Sequence, residues 1–367
     1  MGARFQQQVF NKSLAEVEKA NRELIVIYDR AQQNIEKKMA LLRLQIEKGL
    51  YAEARADRLI RMNKFLASLK KDIVTLKTRQ QLIMTDGFIT NYQNAYYGYG
   101  YDISKTVNTQ ILDKVGFDYS LGYRKLNIPY INRLYSEEIA GQIYGLGIKE
   151  RTAQEILRVQ AGVRQQVTQA IVEGISPKQL VDRLAQVDAV FEQNKRHAFT
   201  VARTELLKGH NIGAEEAILT AQDAGVVGTK IWNATLDGKT RATHAAMDSA
   251  SRAGTQPDDQ GFFTFPDGSS AQMPHGAGLS AAEAVNCRCN VEFAPYGVSP
   301  NKRGSRLANG RWKVLNKDLS YQEWGKTLEG RESIKATEAA RRKRAAKLAK
   351  SRATQKRPTI ENTALKK

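Results

Sequence analysis

The sequence gathers its imidazole and thiol side chains in one region. All four histidines and both cysteines lie within residues 197–289, namely His197, His210, His244, His275, Cys287 and Cys289. In an extended strand, residues two apart point to the same face, so the two sulfurs are predicted to lie side by side. Two ligands of one tetrahedral zinc ion require that arrangement. A disulfide between the same cysteines would close a small, strained ring.

Two of the histidines lie in segments that can fold over the cysteine pair. His244 is on a predicted short helix, and His275 is twelve residues before Cys287 in a glycine-flanked loop. We therefore predict a structural zinc site of His244, His275, Cys287 and Cys289, with Asp237 as a substitute oxygen ligand. The alternative is two small buried thiols beside unrelated histidines, because Cys-x-Cys differs from the paired knuckles of most structural zinc modules. With only two cysteines, a disulfide framework is excluded.

The elements that must position these groups alternate between helix and strand. The pattern predicts a helix that ends at Gly225, a strand over 229–235, a turn at 237–238 and a short helix over 240–250. A loop over 251–280, a short helix over 281–285 and a strand over 287–293 follow. Residues 194–298 are therefore interpreted as a compact α+β module.

The first part of the chain is predicted to be helical. All eight prolines lie at or after Pro129, and apolar residues repeat at alternating spacings of three and four on both sides of Gly49. This rhythm is typical of a narrow, coiled-coil-like seam, so residues 1–120 are predicted to form a long helical hairpin, followed by a helical region over 121–193. A role in oligomerisation is the less favoured alternative. The tyrosine-rich stretch over 92–144 is expected to pack on its own domain rather than to form a docking surface.

The end of the chain is strongly basic. Residues 331–367 hold thirteen Lys or Arg against three Glu, which supplies +10 of the net charge of +19. We predict a linker over 299–330 and a flexible basic tail over 331–367, which can become helical along an anion. A merely solvated end is the alternative. The candidate nucleic-acid-binding residues are Arg341, Arg342, Lys343, Arg344, Lys347, Lys350 and Arg352.

The composition also excludes some classes of protein. The net charge of +19 points to a polyanion or an acidic surface as a partner. No stretch approaches the roughly 18 apolar residues of a membrane span, and the N-terminus lacks the apolar run of a signal peptide. A cytosol-like compartment and no membrane partner are therefore expected. The predicted fold class is α+β, with a long helical N-terminal region, a small α+β C-terminal module and a basic flexible tail.

An ordered set of short motifs resembles the phage Mu F-like minor head protein family. The set spans about residues 195–295, and its closing Asn-Cys-Arg-Cys is the most diagnostic part. In chain order it consists of Ala202-Arg203-Thr204-Glu205, Asn211, Gly213, Trp232, Asp237-Gly238-Lys239-Thr240-Arg241, His244, Asp248 and Asn286-Cys287-Arg288-Cys289.

The resemblance implies a minor capsid protein of a tailed phage, associated with the portal and involved in head assembly or in DNA packaging or delivery. The implied partners are the portal protein, the major capsid or scaffold protein and double-stranded DNA bound non-specifically. The implied location is inside the virion head near the portal, and the host cytoplasm during assembly. The family's metal ligands correspond to His244, Cys287 and Cys289. This chain departs from the family pattern at Ser249, where glycine is usual, and at His275, where Pro-Gly is usual.

Three functions compete at this point. The favoured one is a structural, DNA-contacting head component that is not an enzyme. The second is a zinc-dependent hydrolase or nuclease acting on DNA, with Asp237 or Glu283 as the base, although the sequence has no His-Glu-x-x-His motif, phosphate-cradling glycine loop or nucleophile elbow. The third is an assembly factor that binds only proteins through residues 1–120 and the tyrosine stretch.

Overall fold

The computed structural model describes ten stretches of the chain. These are residues 2–48, 55–109, 153–154, 156–163, 165, 177–254, 257–258, 261–298, 303–315 and 317–354. Residues 110–152, which include the tyrosine stretch from residue 110 onward, residues 166–176 and residues 355–367 lie outside them, so the predictions made there stay predictions.

Two long antiparallel helices form the N-terminal region, as predicted. Helix α1 is Gly2–Glu47 and helix α2 is Arg55–Val107. Hydrogen bonds fix their pairing, from Tyr28 Oη to Gln80 Oε1 at 3.0 Å and from Lys38 Nζ to Asp72 Oδ2 at 2.6 Å. The apolar seam lies between the helices, with these members buried: Tyr28, Ala31, Ile35, Met39, Leu42, Leu69, Ile73 and Leu76. The spacing of the apolar residues therefore predicted the buried face.

A third long helix, α3, is Pro177–Asp223, and it packs against both members of the hairpin. Glycines allow its backbone to approach α2 closely. A Cβ atom at Gly213 would collide with the Tyr92 carbonyl oxygen, and one at Gly209 would lie 2.8 Å from the Phe88 carbonyl oxygen. Tyr92 itself is fully buried, so this part of the tyrosine stretch packs in the core, as expected.

The α+β module follows α3. It contains strand β1 at Gly228–Asn233, helix α4 at Ala242–Arg252, strand β2 at Phe263–Thr264, strand β3 at Ser270–Ala271, helix α5 at Ala281–Ala284 and strand β4 at Asn290–Pro295. Strands β1 and β4 pair antiparallel with Trp232 opposite Val291, and β2 pairs antiparallel with β3. The predicted last strand begins later than expected, so Cys287 and Cys289 lie in the segment just before β4.

The segment predicted to be a linker is folded. Strands β5 at Arg303–Arg306 and β6 at Trp312–Leu315 form an antiparallel pair, and helix α6 follows at Tyr321–Lys326. This corrects the prediction for 299–330. The physical reason is the buried Arg303 guanidinium, which forms an ion pair with Asp248 on α4 and so ties β5 to the module.

The basic segment is a helix rather than a loose tail. Helix α7 is Leu328–Thr354, in agreement with the high helix propensity of its Ala, Lys and Arg residues. Its first turns dock on the module, because the backbone N–H of Gly238 donates to Ser333 Oγ at 3.4 Å and a Cβ atom at Gly238 would touch the Ser333 carbonyl oxygen. Residues 341–349 are exposed. Among the described helices, none joins the length and apolar character needed to cross a membrane.

Candidate metal centre and basic cleft

Three metal-ligating side chains meet where α4 faces the segment before β4. Nδ1 of His244 lies 3.1 Å from Sγ of Cys289 and 3.5 Å from Sγ of Cys287. All three residues are buried, and their ligand atoms lie within 4.8 Å of one another. The structure therefore brings together three of the four predicted zinc ligands.

The residues next to the cysteines explain the local path of the chain. Asn286 adopts a left-handed backbone conformation with φ of 59°, which asparagine tolerates better than most residues. Its backbone N–H donates to Thr204 Oγ1 on α3 at 2.9 Å. Between the two cysteines, Arg288 Nη2 donates to Asp237 Oδ1 at 2.9 Å. The turn at Asn286 and the Arg288 pair thus aim both sulfurs at His244.

Glu283 lies on the other side of the His244 ring. Its Oε2 is 2.9 Å from His244 Nε2 and accepts a hydrogen bond from Thr243 Oγ1 at 2.9 Å. A carboxylate on the outer nitrogen commonly orients a histidine that binds metal through its inner nitrogen. Glu283 is therefore placed to orient the ligand ring, and it lies away from the sulfurs.

The charges around the cluster shift its pKa values. Burial lowers the pKa of His244, but the Cys289 sulfur and Glu283 outweigh burial, so the net shift is upward. Burial raises the pKa of Cys287, but hydrogen bonds with Cys289 and the nearby Arg241 and Arg288 lower it below its usual range. The pKa of Cys289 is raised by burial and by its neighbour Cys287. Each cysteine thus affects the ionisation of the other.

The three residues fit a zinc ion. With Zn–S near 2.3 Å and Zn–N near 2.0–2.1 Å, a tetrahedral site puts nitrogen and sulfur about 3.6 Å apart. The observed nitrogen–sulfur separations of 3.1 and 3.5 Å are close to that value. One nitrogen and two sulfurs are also a donor set that suits zinc rather than magnesium or calcium.

His275 is not part of this group, which corrects the predicted ligand set. Its Nδ1 lies 3.1 Å from Nδ2 of Asn211, and its Nε2 lies 3.2 Å from the Cys287 carbonyl oxygen. Both ring nitrogens are therefore engaged, and burial lowers the pKa of His275 to about 3. A neutral ring that holds the Cys287 carbonyl is a positioning group. Asp237 is not a ligand either, because Arg288 holds its carboxylate.

The remaining histidines have other environments. His210 is buried, with Nδ1 2.9 Å from Ser13 Oγ on α1, and His197 is exposed on α3. Their closeness to the cysteines in sequence therefore did not predict closeness in space.

Asp248, an acidic residue of α4, is the centre of a network of hydrogen bonds and ion pairs within the module. It is fully buried and accepts hydrogen bonds from the backbone N–H groups of Ala234 at 3.0 Å and Tyr321 at 2.7 Å. It also forms ion pairs with Arg252 and Arg303. Asp248 belongs to the motifs of the family resemblance, but its role could not be predicted from the sequence because its partners lie up to 73 residues away.

The cluster lies at the wall of a strongly basic cleft, which we call the basic cleft. Its volume is about 740 Å³, and His244, Cys287 and Cys289 line it. Seven basic side chains also line it against one acidic side chain, Glu18; the basic residues are Arg203, Lys239, Arg241, Arg288, Arg306, Arg341 and Arg344. The cleft therefore has a positive electrostatic potential.

Only part of the predicted nucleic-acid-binding set faces this cleft. Arg341 and Arg344 line it, whereas Arg342, Lys343 and Lys347 lie on exposed parts of α7 outside its lining. Lys350 and Arg352 belong to the same helix, but their side chains lie outside the described part. Four further basic residues of this site were not predicted from the sequence, although the first three belong to the motifs of the family resemblance: Arg203, Arg241, Arg288 and Arg306.

Comparison with known proteins links these elements to one family. A family model described as phage Mu protein F like protein matches residues 161–292, which include α4, α5, the ligand cluster and the first half of β4. No solved structure matches the chain significantly.

Two curated proteins are similar to the chain. The minor head protein GP7 of Bacillus phage SPP1 is 29% identical over 163 residues, which is 44% of this chain and 50% of that protein. A protein named NAD(+)--arginine ADP-ribosyltransferase EFV from Enterococcus faecalis is 27% identical over 233 residues, which is 63% of this chain and 42% of that protein. The matches thus span half or less of the length of these relatives.

Proposed function

We propose that the protein is a minor head protein that contacts packaged DNA, on the ground that residues 161–292 match the family model described as phage Mu protein F like protein. Its role is structural, in head assembly or in DNA packaging or delivery. Similarity to a minor head protein of a Bacillus phage supports this role.

The observation that carries the DNA contact is the exposed basic surface of α7. Arg342, Lys343 and Lys347 are exposed on a helix whose start is docked on the module. A docked basic helix presents its charges without the ordering cost of a loose tail. Such charges bind phosphates by releasing condensed counterions, independently of base sequence.

The salt dependence of binding to a DNA duplex tests this contact. Wild-type protein is compared with the triple variant R342Q/K343Q/K347Q, whose slope of log affinity against log salt should be shallower by up to about 2.7 if all three charges meet phosphates. The matched control is K64Q/K70Q/K71Q, which removes three exposed charges from α2. Equal slopes for the triple variant and the wild type would refute a role of α7.

We also propose that His244, Cys287 and Cys289 hold one structural zinc ion, which ties α4 to the segment before β4. When bound, the ion would cross-link α4 to the segment before β4, which otherwise contact each other through side-chain packing. Zinc content measured by elemental analysis should be about one ion per chain. It should fall to background in H244A and in C289S, with H197Q, at an exposed histidine outside the cluster, as the control. Zinc-free purified protein that keeps the wild-type fold would refute the proposal.

A zinc-dependent nuclease is the second candidate. The specific observation in its favour is that the three ligands line the basic cleft, so a metal held there would face the space that the arginines surround. Against it, Glu283 lies beyond the outer nitrogen of His244 and Asp237 is held by Arg288, so neither predicted base is near the sulfurs. Cleavage of plasmid DNA that a chelator abolishes and that H244A lacks would favour the nuclease over the structural role.

The partners follow from the same proposal. We expect the protein to lie inside the virion head near the portal, and to bind the portal protein and the major capsid or scaffold protein during assembly. Co-purification of the full chain with the portal protein tests this. A head reconstruction that finds the chain away from the portal would contradict it.

A further inference from the structure

Arginines from separate parts of the chain converge on the basic cleft. Arg203 comes from α3, Arg241 precedes α4, Arg306 ends β5, and Arg341 and Arg344 lie on α7. Within the described stretches, none of these five forms an ion pair with a carboxylate. The like charges of these guanidinium groups repel each other, and this repulsion lowers the stability of the folded protein.

Three of the arginines are held in place by neutral acceptors, and in one of these contacts Arg306 Nε donates to the Gly310 carbonyl oxygen at 3.1 Å. Arg203 Nη1 donates to Asn286 Oδ1 at 2.7 Å, and Arg241 donates to the carbonyl oxygens of Glu283 at 3.3 Å and Val285 at 2.5 Å. A guanidinium has five N–H donors, so several remain for a ligand. Burial and the nearby Arg288 and Arg306 lower the pKa of Arg203. A bound anion would relieve that repulsion.

The size of the cleft limits what can enter. Its 740 Å³ is far more than a single phosphate needs and lies in the range of ligand pockets. The major groove of B-DNA alone is about 12 Å wide, so a duplex would lie across the mouth of the cleft rather than fit within 740 Å³. An unpaired strand with several phosphates matches both the volume and the number of arginines.

An aromatic side chain stands at the same cleft. Trp312 on β6 lines it and is 42% exposed, which is unusual for a tryptophan. Its ring lies near Gly304 on β5, where an added Cβ atom would be 3.3 Å from the indole. Exposed aromatic rings beside a basic groove are the usual platform for unpaired bases.

We propose that the basic cleft binds a single-stranded segment of nucleic acid, with phosphates on Arg203, Arg306, Arg341 and Arg344 and one base stacked on Trp312. This deepens the DNA contact proposed above, because it adds a folded site for an unpaired strand to the exposed surface of α7. The two contacts use different side chains of the same helix.

Fluorescence anisotropy with a labelled single-stranded oligonucleotide of about twelve nucleotides tests the proposal. The cleft variant R341Q/R344Q is compared with R342Q/K343Q, which removes two charges from the same exposed part of α7 outside the cleft lining. We expect the affinity for the single strand to fall roughly tenfold or more in the cleft variant and at most about threefold in the control. Both variants lose two charges, so the long-range electrostatic attraction falls equally in both, and the remaining difference reports on the cleft. Equal weakening in the two variants overturns the proposal.

Trp312 gives a second, independent readout. W312A should weaken binding by roughly tenfold, and W312Y should restore most of it, because tyrosine also offers a stacking face. Thermal melts by circular dichroism show whether each variant is folded. Folded W312A with wild-type affinity overturns the stacking contact.

Competitors distinguish the possible ligands and the two proposals. Unlabelled single strand should displace the labelled strand better than a duplex of equal length or pyrophosphate. Displacement by pyrophosphate at equal phosphate concentration, with no effect of W312A, would identify a small-polyphosphate site and overturn the assignment to nucleic acid. Duplex binding that R342Q/K343Q weakens and R341Q/R344Q leaves unchanged is the result expected for the exposed surface of α7. The same pattern for the single strand would overturn the cleft alone. Failure of every DNA to bind would overturn both proposals.

Discussion

Replacing Asp248 by asparagine should strongly destabilise the C-terminal module. The carboxylate is fully buried, and it receives both the Arg303 guanidinium and two backbone N–H groups. Asparagine keeps the shape but removes the charge, and its amide N–H groups would face a buried guanidinium. Arg303 is only 2% exposed, so solvent cannot replace the lost partner.

The magnitude follows from these contacts. Breaking a buried ion pair by removing one partner costs about 3–5 kcal/mol. The second cation, Arg252, keeps Glu292 and Asp318 as partners, so it adds little. The oxygen that asparagine retains can still accept one of the two backbone N–H groups, and the other loses about 1–3 kcal/mol. These losses are not additive, because the site rearranges once in response to both. We therefore expect the free energy of unfolding to fall by about 3–5 kcal/mol in total.

Urea unfolding followed by tryptophan fluorescence measures this loss. All three tryptophans, Trp232, Trp312 and Trp324, lie in the C-terminal part of the chain, and two of them are fully buried, so the signal reports on the module. D223N, at an exposed aspartate, should change the stability by less than about 0.5 kcal/mol.

A double-mutant cycle with R303M separates the ion pair from the backbone contacts. The loss of stability in the double variant D248N/R303M should be smaller than the sum of the two single losses by at least about 1.5 kcal/mol, because the effects of residues in contact are not independent. Additive losses within about 0.5 kcal/mol, or a loss below about 1.5 kcal/mol for D248N, would show that Asp248 does not hold β5 to the module.

Two further predictions concern the helical region. G213A should lower the free energy of unfolding by about 1–3 kcal/mol despite its gain in helix propensity, because the new Cβ atom collides with the Tyr92 carbonyl oxygen. The control is G325A, where the new Cβ atom would lie 3.8 Å from Ile334, and urea unfolding followed by circular dichroism compares the two variants. Burial raises the pKa of Asp102 to about 7. The carboxyl therefore ionises at lower pH in the unfolded chain than in the folded protein, so the folded protein loses stability as the pH rises from about 4 to 7, and this loss of stability is complete above pH 7. D102N should therefore be more stable than the wild type at pH 8, by up to about 4 kcal/mol, and the advantage should vanish near pH 4; an equal difference at both pH values would show that this carboxyl is not responsible.

The sequence predicted features that depend on local periodicity. The alternating spacing of three and four identified the buried seam of α1 and α2 because one helix face repeats at that period. The two-residue spacing of Cys287 and Cys289 correctly predicted that the sulfurs lie close together, although both cysteines lie just before β4 rather than in the strand. Both inferences use only residues close in sequence.

The features that were missed depend on contacts between distant segments. Arg303 looked like a linker residue because nothing near it in sequence shows that Asp248 will neutralise it across 55 positions. His275 looked like a ligand by its spacing from Cys287, but Asn211 on α3 takes its Nδ1. The basic cleft was missed for the same reason, because its charges come from elements separated by up to 141 residues.

The motifs that carry the family resemblance are themselves in contact, which gives the resemblance a physical basis. Asn286 of the Asn-Cys-Arg-Cys segment binds both Arg203 and Thr204 of the Ala-Arg-Thr-Glu segment, 83 and 82 residues earlier. Arg288 of the same segment pairs with Asp237 of the Asp-Gly-Lys-Thr-Arg segment. The four-residue segment therefore joins the ligand cluster to the wall of the basic cleft, and a change that moves the cysteines must also move Arg203. Because one segment serves both places, the ligand cluster and the cleft are parts of a single structural unit rather than two separate neighbouring sites.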